Sequence, residues 1–386
     1  MVSTESGEVE PAPFGPINLL VIQPTSLCNL DCDYCYLPDR QRRHLLDPAL
    51  LRPILRRILD SPFLGEGFTI LWHAGEPLTR PPAFYDQATA ILREELADHP
   101  QLWVDQSLQT NATLINKRWC DCLRRNAIAV GVSVDGPAFL HDRHRRTRLD
   151  RGSHADTMRG IHLLREEEIP FTVISVLTRE SLHHADALVD FYLENGINDV
   201  GFNMEEIEGE NQRSSLSEQG SEALYHRFLE RVWDRVVESG GALRIREFED
   251  LIAYARTGCR VSDSDLNRPM ATVNVDHQGN ISTFDPELLG VETSYGHFVL
   301  GNVWHDSLEA IGRSEKFQRI WADMHAGVEL CRSSCTYFGV CGGGAGSNKY
   351  WETGSFRASE TQACRYRIQH VADVVLEKLE RELGLV

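Results

Sequence analysis

Between Ile17 and Glu205 the chain alternates short apolar runs with amphipathic stretches, and this alternation limits the fold more than any other feature. The runs at 17–24, 68–74, 103–110, 128–135, 170–177 and 199–205 read as strands, and 47–60, 82–98, 116–126, 155–167 and 183–195 between them read as helices. Parallel strands need a crossover of a dozen or more residues, usually helical, and the spacing supplies one each time. The expected class is α/β, with six β/α units in a first domain at 17–240. In parallel α/β sheets ligands bind at the carboxyl ends of strands, so chemistry is expected just after each run.

The first run, INLLVI, leads into QPTSLCNLDCDYCY, with Cys28, Cys32 and Cys35 at C-x3-C-x2-C spacing. Four thiolates saturate a [4Fe–4S] cluster; three leave one iron for a ligand that is not protein. The other readings are a zinc knuckle or three buried thiols, but zinc prefers four ligands in close pairs, and no second pair lies nearby. With Tyr34 just before the last cysteine, the stretch resembles the cluster loop of the radical S-adenosylmethionine (SAM) superfamily. The resemblance implies a partial (β/α)6 TIM-like barrel. It also implies a [4Fe–4S] cluster whose open iron chelates the amino and carboxylate groups of SAM, which is cleaved to a 5′-deoxyadenosyl radical.

Later strand ends extend the resemblance. His73-Ala74-Gly75-Glu76-Pro77 is similar to the family's GGEP motif, in which backbone groups and the Glu hold the methionine amino group; alone it is an ordinary turn. Gln109-Thr110-Asn111 is similar to a QTNG stretch near the ribose, with Ala112 for Gly. Ser133-Val134-Asp135-Gly136 is similar to an SxDG motif beside the methionine carboxylate and ribose. An Arg about ten residues after that Asp pairs with the carboxylate in the family; Arg145 is the choice here, ahead of Arg143, in a basic run that otherwise reads as a solvated face. Val176 and Leu177 are placed against the adenine or in the core, and Asn203, Glu205 and Glu206 toward the cavity.

Residues 1–16, rich in Glu and Pro, read as a flexible arm, too short for a separate leader-binding module. They lack the basic and apolar regions of a signal peptide, and no apolar run approaches a membrane span. Ten cysteines then indicate cofactor ligation in a reducing cytoplasm. A net charge of −18 argues against nucleic acid or an anionic membrane as partner.

Residues 208–220 read as an exposed loop, 221–238 as a helix ended by Gly240-Gly241, and 272–283 as a hairpin turning at Gln278-Gly279-Asn280. In the second domain, 241–386, Cys331, Cys335 and Cys341 precede a closing helical stretch, 362–384, and Cys364 lies near its start. This segment resembles the SPASM extension, which usually holds two auxiliary [4Fe–4S] clusters. The four cysteines fall on the ligands of the outer cluster; a four-cysteine zinc site is the other reading. Inner-cluster positions are taken by Phe284 and Ala345, leaving Cys259 an orphan, so one auxiliary cluster is expected. Cys120 and Cys122 read as structural. By the same alignment Asp285 is the candidate catalytic base, or else a turn residue before Pro286.

Most specifically the chain looks like the maturases that build cyclophane crosslinks, joining an aromatic ring carbon to the β-carbon of a residue two places on in a ribosomal precursor peptide. The partners so implied are a precursor of leader and core, with the leader docking on barrel or tail, and an electron donor such as flavodoxin or ferredoxin. Formylglycine formation on a sulfatase and thioether crosslinking are the nearest alternatives. A zinc- and peptide-binding protein without radical chemistry is the alternative from another class.

Overall fold

The computed structural model describes residues 14–384. The expected N-terminal arm lies, for residues 1–13, outside the described residues. Its last three residues are docked: Gly15 N donates to Pro269 O at 2.8 Å, and Phe14 packs edge-on against Phe317 and Trp321, ring centroids 5.5 and 5.2 Å away.

Strands β1 (Ile17–Ile22), β2 (Leu64–Trp72), β3 (Trp103–Thr110), β4 (Ile128–Ser133), β5 (Phe171–Leu177) and β6 (Asp199–Met204) pair parallel in that order. Helices α1 (Leu51–Leu59), α2 (Pro82–Glu95), α3 (Lys117–Asn126), α4 (Ala138–His144), α5 (His154–Glu166) and α6 (Ala185–Glu194) fill the crossovers, making the partial α/β barrel expected of the sequence. β2 starts at Leu64, not 68: Leu64 pairs with Ile17, and Gly67 pairs with Trp103, whose ring a Cβ on Gly67 would approach within 2.2 Å. Helix α4 was hidden in the basic run, and that run is not a solvated face: His141 and Arg145 are buried.

Helix α7 (Ser221–Glu238) is followed by Gly240 and Gly241, both at positive φ. Then β7 (Arg244–Ile245) extends the sheet beyond β6, and α8 (Arg246–Thr257) follows. The hairpin β8 (Thr272–Val275) and β9 (Asn280–Thr283) does not stand apart: β8 pairs parallel with β1. One ten-stranded sheet results, running from Gly301–Asn302 beside β9 to β7 at the other edge. The hairpin turn occupies Asp276 to Gly279 instead of 278–280: Asp276 Oδ1 accepts from Gln278 N and Asn280 N, and Gly279 takes φ +79°.

One further expectation is corrected, and one left open between adenine and core is decided. The 208–220 segment is not simply exposed, since Glu208, Asn211, Ser214 and Leu216 are buried. Leu177 is fully buried in the core, and Val176 alone of that pair faces a cavity. At the C-terminus a π-turn, Arg365–Gln369, leads into a last helix, His370–Glu382, packed on α7 and α8. Among the described residues no helix is long and apolar enough to cross a membrane.

Candidate cluster and cofactor site

Cys28, Cys32 and Cys35 sit on the loop after β1, at the carboxyl end of the sheet. Two arginines that sequence reasoning missed hold it. Arg40 donates to Asp31 Oδ1 at 2.8 Å and toward the carbonyls of Cys32 and Leu37 at 3.4 and 3.3 Å. Arg148 places Nε and Nη2 on Cys28 O, at 3.1 and 2.8 Å. Nothing local in the sequence distinguishes these arginines from solvated ones.

Burial pushes all three thiols up, Cys32 to about 12, so three bare thiolates are disfavoured here and a cationic metal core is the group that offsets the cost. Tetrahedral zinc would draw its sulfurs to about 3.8 Å apart. Among the described residues, the His, Cys, Asp and Glu donors that converge within 4.8 Å in threes are His226, Glu230 and Glu377, not either cysteine set. The chemistry of the donor sets, three thiolates and four thiolates with no histidine among them, is that of iron–sulfur ligation, the first leaving one iron open.

Behind the loop, Ala74 and Gly75 take φ of +75° and +58°. A Cβ on Gly75 would meet Leu27 O at 2.6 Å, and Glu76 N donates to Leu27 O at 2.8 Å, locking the two loops together. Ala74 accepts a left-handed conformation that costs about 1 kcal/mol more than it would for glycine. The Glu76 carboxylate is buried and already accepts three hydrogen bonds, from Leu78 N (2.9 Å), Thr110 Oγ1 (2.7 Å) and Asn111 N (2.8 Å). Burial pushes it up to about 7 against those hydrogen bonds. It ties the ends of β2 and β3 together, while the Ala74–Gly75 backbone lines an adjoining cavity. Asn111 in turn donates to Asn29 Oδ1 at 2.9 Å, with Cys28 Sγ 3.9 Å away.

The ends of β3, β4 and β5 converge. Gln109 Nε2 donates to Ser133 Oγ at 2.8 Å. Asp135 takes a forked contact from Arg145, Nε to Oδ2 at 2.8 Å and Nη2 to Oδ1 at 3.1 Å, with further donors in Val176 N (2.9 Å) and the Tyr34 hydroxyl. Burial alone would push Asp135 up; the Arg145 charge and hydrogen bonds reverse this and hold it below the usual carboxylate range. Arg145 thus spends two of its three nitrogens on Asp135, with its guanidinium carbon 5.4 Å from the Tyr34 ring centroid.

A cavity of about 200 Å³ opens beside Cys32 and Cys35, walled by Tyr36, Arg145, Glu206, Glu208 and Glu287. Asn203 and Glu205 line it too, but Glu205 is turned to accept from Ser215 N at 2.7 Å. Asp285 does not line it: the side chain lies behind the wall, buried, with Oδ2 accepting from Ser347 N at 2.9 Å. Burial pushes Asp285 up to about 6, and burial with neighbouring carboxylates raises Glu287 and Glu208. Glu208 and Glu287 were missed, the first because it lies in a polar segment and the second because it follows a proline turn.

Cys331, Cys335, Cys341 and Cys364 line one cavity of about 340 Å³, closed by Gly343 and Gly344 and shared with Asn348 and Arg367. Phe284, at the place of an inner-cluster ligand, is fully buried and stacked on Phe317 at 6.1 Å, and Cys259 is exposed. Cys120 and Cys122 are buried on α3 within the core.

Residues 22–192 match the Radical SAM superfamily. The Synechocystis sp. protein sll1766 is 54% identical over 381 residues, 98% of this chain and 96% of its own. A serine-type anaerobic sulfatase-maturating enzyme of Bacteroides thetaiotaomicron is 25% identical over 96% of this chain and 93% of its own. Among solved structures, anSMEcpe with bound AdoMet and Cp18Cys peptide superposes with a TM-score of 0.76 at 19% identity, over 96% of this chain and 100% of that one. Streptococcus suis SuiB bound to precursor peptide SuiA gives 0.61 at 19% identity, over 91% and 77%; both likenesses are of fold. With a three-cysteine loop at the head of the barrel and a fourfold set beyond it, this chain belongs to the radical SAM superfamily and is an enzyme that works with S-adenosylmethionine and [4Fe–4S] clusters.

Proposed function

We propose that the protein is a peptide maturase that removes a β-hydrogen from a ribosomally made precursor and joins that carbon to an aromatic ring carbon, forming a cyclophane. The observation that carries this reading is the carboxylate-walled cavity between the three-cysteine loop and the auxiliary cysteines. Such a closure forms one C–C bond, breaks one C–H bond on each carbon and releases, after the first hydrogen atom, one electron and one proton. When bound, SAM and the clusters supply the hydrogen-atom abstraction and the electron acceptor.

The chain's residues supply position and proton transfer. Cys28, Cys32 and Cys35 would hold the SAM cluster. Tyr34, Gly75, Gln109, Asn111, Ser133 and Arg145 would surround SAM, with Glu76 and Asp135 orienting their neighbours from behind. Glu287 and Glu208, raised by burial and neighbouring carboxylates, face the cavity as groups that hold their proton, and Asp285 behind them, raised only to about 6, is the proposed base. Tyr36 and Glu287 also line the adjoining cavity, which carries Ala74 and Gly75, so the two spaces share a wall made of one cluster-loop residue and one acid. Phe284 in place of a cluster ligand favours a single auxiliary cluster, on Cys331, Cys335, Cys341 and Cys364.

A second reading, formylglycine formation, is favoured by the likeness to sulfatase-maturating enzymes. A flavodoxin or ferredoxin would reduce the enzyme in either case. The test is anaerobic turnover with a precursor peptide deuterated at β-carbons. Deuterium in 5′-deoxyadenosine, with a crosslinked product, supports the proposal; deuterium with an aldehyde product favours the second reading.

A further inference from the structure

Lys349 is buried inside the C-terminal segment, 4% exposed, on the helix Gly346–Thr353. Among the described residues its ammonium Nζ donates to Gly327 O at 3.0 Å and Cys331 Sγ at 3.4 Å. A buried ammonium is costly unless an anion accompanies it. A carbonyl and one sulfur are poor compensation, unless that sulfur belongs to a group of net negative charge.

Four thiolates around a [4Fe–4S] core make such a group, and Cys331 is one of the four that line this cavity. The other cation on the wall, Arg367, is paired with Glu206 at 3.3 Å. The remaining donors to these sulfurs are neutral: Thr361 N and Gln369 Nε2, 3.4 and 3.9 Å from Cys364 Sγ. Lys349 is therefore the cationic donor to the set, and lysine's compact charge suits a single sulfur better than the fork of arginine.

We propose that Lys349 is the counter-charge of the auxiliary cluster, raising its reduction potential by favouring the form that carries one more electron. Charge and hydrogen bonds at ligating sulfurs are established means of setting such potentials. A raised potential suits an acceptor for the single electron lost as the aromatic ring is restored, the proton going to the acid wall. That consequence rests on the maturase reading; the effect on potential does not.

The test is a potentiometric titration followed by electron paramagnetic resonance, without peptide. Full-length protein is used with Cys28, Cys32 and Cys35 replaced by alanine, so that only the auxiliary cluster reports. In Lys349→Met the reduced-to-oxidised ratio at a fixed potential should fall at least tenfold, a drop of about 59 mV for one electron. Lys349→Arg should restore most of it. Lys349→Gln, which keeps a neutral donor to Gly327 O, serves if the methionine variant does not load iron, and should show the same fall. A fully loaded Met or Gln variant with unchanged potential would overturn the proposal. Since no peptide is present, failure of the maturase reading leaves this result intact.

Discussion

Arg367 joins the two cavities: it lines the space around the auxiliary cysteines, and its Nη1 lies 3.3 Å from Glu206 Oε1 in the wall of the acidic cavity beside Cys32 and Cys35. Asn348 makes the same bridge, donating to Glu208 Oε1 at 2.8 Å and Glu206 Oε2 at 3.2 Å. On the proposed reading, this shared wall would set the proton acceptor beside the electron acceptor.

Replacing Arg367 with methionine removes the cation that steadies those carboxylates. Its charge holds down Asp285 and Glu287, so both should rise further without it, and one unit costs about tenfold in the ionised fraction of a mostly protonated group at fixed pH. Product formed per 5′-deoxyadenosine is expected to fall on that order while SAM cleavage continues. Chromatography of both products checks it.

For Asp285, raised to about 6 by burial, the acceptor form is lost as pH falls through that value. Product formation should therefore decline below about pH 6, and Asp285→Asn should abolish that limb of the profile while retaining SAM cleavage. An unchanged profile in the variant would assign the proton to Glu287 or Glu208.

Glu76→Gln puts an amide donor where three donors already converge, and should cost about 1–3 kcal/mol in urea unfolding. The pH sign follows from its raised pKa: stability from the protonated folded form is present below the unfolded value near 4.5 and lost as pH rises through about 7. The variant should remove that slope.

Phe284→Ala should destabilise the fold by about 3–5 kcal/mol, since the ring is fully buried against Phe317. Iron content should remain at that of two clusters, about eight atoms per chain. Twelve atoms in the parent protein would contradict the replacement of the inner cluster.

The barrel was legible because strand periodicity and helical crossovers recur at regular intervals, and the cluster loops because cysteine spacing is chemically specific. What escaped is long-range. Pairing of β8 with β1 leaves no local trace in TVNV. Arg40 and Arg148 look like surface residues, and Arg148 stays exposed; only the fold brings their guanidinium groups to the loop carbonyls. Asp135 and Arg145 were each identified, but toward SAM, whereas their buried forked contact with each other depends on α4, which a basic run concealed. The stretch MEEIEG drew attention to Glu205 and Glu206, yet Glu208 is the buried one, because only the tertiary fold decides which carboxylate turns inward.

The most direct test is co-expression with a candidate precursor peptide, followed by mass spectrometry of the peptide. A loss of two hydrogens, with fragmentation blocked between an aromatic residue and the residue two places on, is the predicted result. Conversion of a cysteine or serine to an aldehyde, or an unmodified peptide from enzyme shown to cleave SAM, would contradict the proposed cyclophane chemistry.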